Sequence, residues 1–230
     1  MYNLKKGLNI PISGSPEGTV SDSTKISHVG ILGPDYIGMK PTMMVEVGDQ
    51  VKIGSVLFED KKNPGVFFTS PAGGLIKSIN RGEKRRFISI EIEVADQENQ
   101  VEILNDSDEI LFRNLSKYGV INNFRTRPFN KTPKPNDIPN DIFVNVCDTN
   151  PLSVDPYIYL QHEIDLFNRS LMKLKEIFNC NIHVCYQNND FNNFIDGINY
   201  YNFKGPHPAG LSGTHIPVSY THLRAHETRF

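Results

Sequence analysis

No run of apolar residues in this 230-residue chain approaches the ~20 needed to cross a bilayer. Any link to a membrane is therefore expected to go through partners, with no direct span. The opening stretch MYNLKKGLNI lacks the ~7–15-residue apolar core of a secretory signal, so a cytosolic chain is expected. A dominant charge is missing as well. With 24 Lys+Arg against 26 Asp+Glu the net charge is −2, which argues against nucleic acid or anionic lipid as a main partner. The densest basic run, Lys84-Arg85-Arg86, reads as a solvated loop. Cysteine is scarce: Cys147, Cys180 and Cys185 are an odd set without paired spacing, which suits reduced thiols. A tetrahedral metal site needs four ligands, usually from close pairs, so no metal follows from them. No P-loop, G-x-G-x-x-G or G-x-S-x-G occurs, and no catalytic constellation stands out.

What is present is first a set of short strands from Lys40 to Ile92. Met44–Val47, Val51–Ile53, Val56–Phe58, Val66–Thr69, Leu75–Ile79 and Phe87–Ile92 are cut by Gly48-Asp49, Pro64-Gly65 and Gly73-Gly74. Such turn residues supply the φ angles that strands cannot. Ile26–Leu32 reads as a further strand. The expected first domain is an all-β unit over residues 26–98, preceded by an extended Gly/Ser/Pro-rich arm over residues 1–25. Polar DQENQ at 96–100 marks its end.

From there the period changes to 3.6. Asp106 and Glu109 sit in capping-box positions before Leu111, Leu115 and Tyr118, and Gly119 suits a helix C′ position. After Pro-rich FRTRPFNKTPKPNDIPND, Ile142–Val146 reads as a buried strand. Asp155-Pro156 then opens the clearest helix, with Tyr157, Leu160, Ile164, Phe167, Leu171, Leu174 and Phe178 in one stripe over about six turns. Asn181–Tyr186 and Gly197–Phe203 are strands. Strand–helix–strand predicts an α/β layer, taken here as residues 99–217. The fold class expected is α+β and multi-domain.

Two stretches invite a functional reading. The loop Lys204–His215 (KGPHPAGLSGTH) is either an anion nest of backbone amides or a shaped turn, with His207 and His215 able to titrate or hydrogen-bond in it. Arg125 and Arg127, flanked by Phe124 and Phe129, form either a docking patch or a solvated pair, since Arg and aromatic side chains are enriched at interface anchors. Phe124, Arg125, Arg127, Phe129, His207 and His215 are thus the candidate partner-interface residues. No catalytic, cofactor-binding or metal-binding residue is assigned.

VEVGDQVKIGSVL followed by SPAGGLIKSI resembles the biotinyl/lipoyl barrel-sandwich hybrid family. In its carrier members a tip lysine holds a swinging cofactor. Here Lys61 and Lys62 lie near that tip, without Met-Lys-Met or Asp-Lys-Ala around them, and are either a modified site or a solvated edge guard. Six collinear blocks are more specific: GLNIPISGSPE (7–17), HVGILGPDYIGMKPTM (28–43), FEDKKNPGV (58–66), FRTRPF (124–129), DTNPL (148–152) and GPHPAGLSGTHI (205–216). They resemble the NqrA family, the A subunits of the Na+-translocating NADH:quinone reductases. The resemblance implies a peripheral, redox-inert subunit on the cytoplasmic side of the inner membrane, held by subunits B to F and near the place of quinone reduction, with quinone contact itself left open. The complex uses NADH, flavins, iron–sulfur centres and ubiquinone, and this subunit is expected to hold none of them. The second unit is similar to the Rossmann-like flavin/NADH-binding domain of the flavoprotein subunit of complex I and of the Rnf complex C subunit. Where those have a glycine-rich flavin loop, this chain has VINNFRTRPF, and their Glu-x-Glu-Pro appears as Asp148-Thr-Asn-Pro151. The implied nucleotide site is lost while the scaffold stays, and the α/β unit is expected to be incomplete because the chain reads as a truncated member of a family whose chains are roughly twice as long. The alternatives are a barrel-sandwich carrier or binding module and a flavin- or NADH-binding domain. Residues 218–230, VSYTHLRAHETRF, resemble a translated sequencing adapter and are expected to be non-native. In that case His222-x3-His226 is no zinc pair.

Overall fold

The computed structural model describes residues 1–21, 25–95, 115–187, 191–192 and 194–224. The chain divides into two compact units, Ser23–Asp137 and Met1–Asp22 with Ile138–Phe230. This differs from the division read from the sequence at two places. The first residues group with the second unit, where β1 (Tyr2–Asn3) pairs. Residues 115–137 group with the β unit and not with the α/β unit. Neither pairing leaves a local sequence signal. The boundary stretch 96–100 and the expected helix residues Asp106, Glu109 and Leu111 lie outside the described residues.

The β unit is built from two antiparallel sheets. One runs in the order β2 (His28–Leu32), β8 (Phe87–Val94), β7 (Gly74–Arg81), β4 (Gln50–Val51), the other β3 (Pro41–Met43), β5 (Val56–Asp60), β6 (Phe67–Thr69). Alternation along the strands sends one set of side chains inward. Ile76, Ile90, Ile92, Phe87 and Val51 from the first sheet meet Leu57, Phe58, Val66 and Phe68 in one core. Phe58 is its hinge point: it stacks on Phe68 at 4.6 Å and meets Phe87 edge-on at 5.2 Å. The expected strand Met44–Val47 is displaced to Pro41–Met43, and residues 44–46 are irregular before the turn at Val47-Gly48. The backbone explains the shift. Asp49 Oδ2 accepts the Glu46 amide at 2.7 Å, closing a turn that a strand over those residues would have opened.

The α/β unit carries a parallel sheet in the order β1–β11–β10–β9, with β9 (Asp141–Val146), β10 (Asn181–Tyr186) and β11 (Asn199–Lys204). Between β9 and β10 the expected long helix is present but interrupted: α1 (Tyr157–Leu160), a 3-10 turn at Gln161–Glu163, then α2 (Ile164–Phe178). Asp155 caps its start, its carboxylate accepting the Tyr157 amide at 2.9 Å. Glu163 leaves helical geometry at φ −125° and ψ 28°, and that breaks the axis. Leu171 and Phe178 are the stripe residues that become fully buried. Asn179 ends α2 in the left-handed conformation. A final helix, α3 (Ser212–Arg224), follows β11.

Because Phe58 is 0% exposed and touches aromatic rings from both sheets, Phe58→Ala is expected to destabilise the β unit by about 3–5 kcal/mol. Urea unfolding checks it. A loss below about 1 kcal/mol would show that the two sheets are not joined through this ring.

Candidate functional site

In open parallel sheets, ligands bind outside the carboxyl ends of the strands. In the α/β unit that place is bounded by Cys147–Pro151 after β9, by Gly205–Leu211 after β11, and by the N-terminal residues 4–9. The three segments are tied to one another. Thr149 Oγ1 accepts the Gly210 amide at 2.9 Å. His207 Nδ1 lies 3.1 Å from both Thr149 Oγ1 and the Thr149 carbonyl. Asn145 Nδ2 donates to the Gly210 carbonyl at 2.9 Å, and the Asn145 side-chain oxygen accepts the Cys147 amide at 3.0 Å. From the N-terminal side, the Leu8 amide donates to the His207 carbonyl at 2.9 Å, and the His207 amide to Asn9 Oδ1 at 3.3 Å. Gly210 has to be glycine here: a Cβ would stand 2.5 Å from the Thr149 nitrogen.

This decides between the two readings of the 204–215 loop. An anion nest turns several consecutive amides toward a ligand. Here the amides of His207, Ala209, Gly210 and Leu211 are all donated inside the protein, to Asn9, Pro206, Thr149 and Pro208. The loop is a shaped turn. Asp148, in the place of the relatives' acidic residue, is likewise occupied. Burial pulls its pKa upward, but hydrogen bonds from Ser153 and Asn150 hold it below the usual carboxylate range. The Asp148 Oδ1 accepts the Asn150 amide at 2.8 Å and its side chain at 2.7 Å.

The six candidate interface residues are divided between the two units. His207 and His215 belong to the α/β unit, the other four to the β unit. His215 is 1% exposed, with Nε2 2.6 Å from the Ala209 carbonyl and its ring 4.1 Å from that of Phe203. Its side chain therefore serves the core and offers no docking surface. Burial holds its pKa below 6.5 despite the carbonyl contact, and Nδ1 has no partner among the described residues. In the β unit, Arg125 lies over the Tyr36 ring at 5.0 Å and donates to the carbonyls of Asn122 and Phe124. Phe124 and Arg125 are half-buried, and Arg127 is exposed. Phe129 is 72% exposed.

The segment 120–125 thus clips onto the β unit. Asn122 donates from Nδ2 to the Phe67 carbonyl at 2.6 Å, while Oδ1 is buried without a partner among the described residues. Next to it is a cleft of about 380 Å³, with Tyr36, Phe68, Thr69, Ser70, Tyr118 and Asn122 among its lining. Gly119 bounds it with φ 73°, and a Cβ there would stand 2.4 Å from Thr69 Oγ1. The hairpin tip at Lys61-Lys62 is exposed but held from below. Asp60 Oδ1 accepts the amides of Lys40 and Lys62, each at 3.0 Å, and Asn63 Nδ2 donates to the Pro133 carbonyl at 3.1 Å.

One cluster escaped the sequence reading. His183 on β10, 1% exposed, places Nε2 2.9 Å from Asp141 Oδ1 and Nδ1 3.3 Å from the Tyr201 hydroxyl. It lies against the Phe143 ring at 4.6 Å. Only the register brings these residues together, since His183 pairs with Phe143 in the ladder. The cluster sits toward the amino end of β9, away from the end where such sheets bind ligands. The three cysteines are buried thiols. Burial raises the pKa of Cys185 to about 12, and burial together with Asp141 that of Cys180 to about 11. Cys147 is pushed up furthest, by burial and the neighbouring Cys185.

A family model described as the NqrA N-terminal barrel-sandwich hybrid domain matches residues 2–95. A second, described as the NqrA second alpha/beta domain, matches residues 106–226 and so runs past residue 218. Among curated relatives, the A subunit of the Na(+)-translocating NADH-quinone reductase of Yersinia pseudotuberculosis serotype O:1b is 45% identical over 239 aligned positions, covering 98% of this chain and 54% of the relative. The proteins of the same name from Histophilus somni (strain 2336) and Neisseria meningitidis serogroup B are 43% and 46% identical. They cover 96% and 94% of this chain, and 52% and 50% of their own length. The chain spans about half the length of the curated relatives it matches.

Two outcomes are expected from this geometry. Thr149→Val leaves the Gly210 amide without its acceptor and should destabilise the α/β unit by about 1–3 kcal/mol in urea unfolding. A neutral result would mean that the lock is not structural. His215 is expected to make stability pH-dependent. Its folded pKa is below 6.5, so between the two values the unfolded chain binds the extra proton and stability rises with pH. The His215 contribution is complete above pH ~6.5 and is lost as pH falls through the folded pKa. His215→Leu should flatten the unfolding midpoint between pH 7 and 5 relative to the parent; equal slopes would refute this.

Proposed function

The chain belongs to the NqrA family, the A subunits of the Na(+)-translocating NADH-quinone reductases, and on that premise we propose that it is a peripheral, redox-inert subunit of such a pump. In this reading the complex passes electrons from NADH through flavins and iron–sulfur centres to ubiquinone and exports Na+. The chain itself holds none of these groups. It docks through partner subunits B to F on the cytoplasmic side of the inner membrane, close to the place where quinone is reduced. Among the described residues no helix is long and apolar enough to cross a membrane.

The observation that carries the redox-inert part is the lock at the carboxyl ends of the sheet. The segments that in a Rossmann-like scaffold would cradle a nucleotide phosphate hydrogen-bond to one another through Thr149, His207 and Gly210. The stretch Val120–Phe129 supports the same reading. The flavin-binding domains that the second unit resembles need glycine there for backbone approach, whereas Asn122 and Arg125 here hold the segment with side-chain hydrogen bonds. For docking, the exposed Arg127 and Phe129 are the residues of the candidate set free to anchor a partner, Phe129 with Lys131 Nζ 5.9 Å from its ring.

The chain, co-expressed with the other pump subunits, is expected to co-purify with them. Phe129→Ala together with Arg127→Ala is expected to weaken assembly by about tenfold or more, since anchors of these types carry over 1 kcal/mol each when they lie at an interface centre. Unchanged recovery would remove that patch, and absence of the chain from the purified complex would remove the assembly reading. Separately, a ligand that binds only the native state raises the melting temperature. No shift is expected with millimolar NADH or flavin mononucleotide; a clear shift with either would overturn the redox-inert assignment.

A further inference from the structure

The β7–β8 hairpin ends in four cations and one carboxylate between Arg81 and Arg86, in a chain of net charge −2. All four cations are exposed, and none of them is in an ion pair among the described residues. The turn itself is closed by the Arg86 amide donating to the Glu83 carbonyl at 3.1 Å, which makes Lys84 and Arg85 its central residues. Both have positive φ, 53° and 60°. That is the geometry for which hairpins prefer Asn-Gly, and side chains with a Cβ are disfavoured there. Two consecutive cations are held in a conformation that costs stability, and such a conflict at an exposed tip points to a use for their charge. The sequence shows only a short basic run; the strain and the absence of ion pairs among the described residues become visible in the fold.

We propose that this hairpin tip is a contact for an anionic lipid surface. The tip is a loop over Gly82–Arg86 between β7 and β8, and all four of its flanking and central cations face solvent. A fluid layer of phosphate headgroups needs no shape match and gathers around such a point. Ile88, two residues beyond the tip and 38% exposed, supplies an apolar side chain at the same end. The inference rests on the pump reading only for the nearness of a membrane. It is a local contact that adds to partner subunits and does not replace them.

The test is co-sedimentation of the full chain with vesicles of phosphatidylglycerol and phosphatidylcholine, and with phosphatidylcholine alone. The variant is Lys84→Asn with Arg85→Gly, which removes two charges and at the same time installs the preferred turn. Its unfolding midpoint should equal or exceed that of the parent, so loss of binding cannot come from misfolding. The parent is expected to prefer the anionic vesicles, with binding that weakens on adding salt. The variant should bind them roughly thirty-fold less tightly, from the usual attraction per surface cation. No preference for anionic vesicles, or equal binding by the variant, would overturn the proposal. So would retention on polyglutamate without vesicle binding, which would indicate an acidic protein partner. None of these outcomes depends on co-purification with the pump, so the two readings fail separately.

Discussion

The Gly210 amide donating to Thr149 Oγ1 illustrates the constraint on which this fold turns. A buried backbone N–H must find an acceptor, and the choice between a ligand and the protein itself decides what a loop can do. Gly210 is buried, its Cα packs against the backbone of the Asp148–Thr149 loop, and its donor points at a side chain fixed on that loop. Once that bond is made, neighbouring amides follow. Ala209 and Leu211 close their turns on Pro206 and Pro208, and His207 takes its place against both Thr149 oxygens. The crevice in which comparable sheets hold nucleotides becomes an internal hydrogen-bond network.

The same economy operates at the hairpin tip of the β unit. A carrier domain needs a lysine side chain that swings freely on its tip. Here Asp60, 8% exposed, gathers the amides of Lys40 and Lys62, Glu59 Oε1 takes the Gly65 amide at 2.7 Å, and Asn63 reaches the Pro133 carbonyl. The turn is braced on both sides. The lysine side chains stay exposed, but their backbone is committed to the scaffold.

Much of this was legible in the sequence, and the unread part has one physical cause. Val56–Phe58, Phe87–Ile92, Ile142–Val146 and Asn181–Tyr186 appear as strands because alternation and Gly/Pro punctuation are local. The cap at Asp155 is local too, and it is observed. What the sequence could not show depends on distant partners. Tyr2 becomes a strand residue because it pairs with Phe203. His215 looks like a site residue until Phe203 and Ala209 enclose it. Asp141 and His183, 42 residues apart in the chain, meet only through the ladder. Asn122 and Arg125 read as obstacles to a flavin, which is a negative statement. The structure adds their positive task of pinning residues 120–125 to Phe67 and Tyr36.

The six stretches that carry the family resemblance acquire a meaning from this. They fall into two sets of three, and each set meets in space within one unit. GLNIPISGSPE, DTNPL and GPHPAGLSGTHI supply Leu8 and Asn9, Thr149, and His207 and Gly210, the members of the lock. HVGILGPDYIGMKPTM, FEDKKNPGV and FRTRPF supply Tyr36 and Lys40, Asp60, and Arg125. There the Lys40 amide meets Asp60 and the Arg125 guanidinium covers Tyr36. Blocks that gather around a catalytic centre would leave donors, acceptors and charges turned toward a shared empty space. The residues named here turn theirs toward one another, although Gly30, Ile31, Leu32, Asp35 and Tyr36 of the second block also line the cleft beside Asn122. What the resemblance records, on this geometry, is the set of contacts that closes each unit.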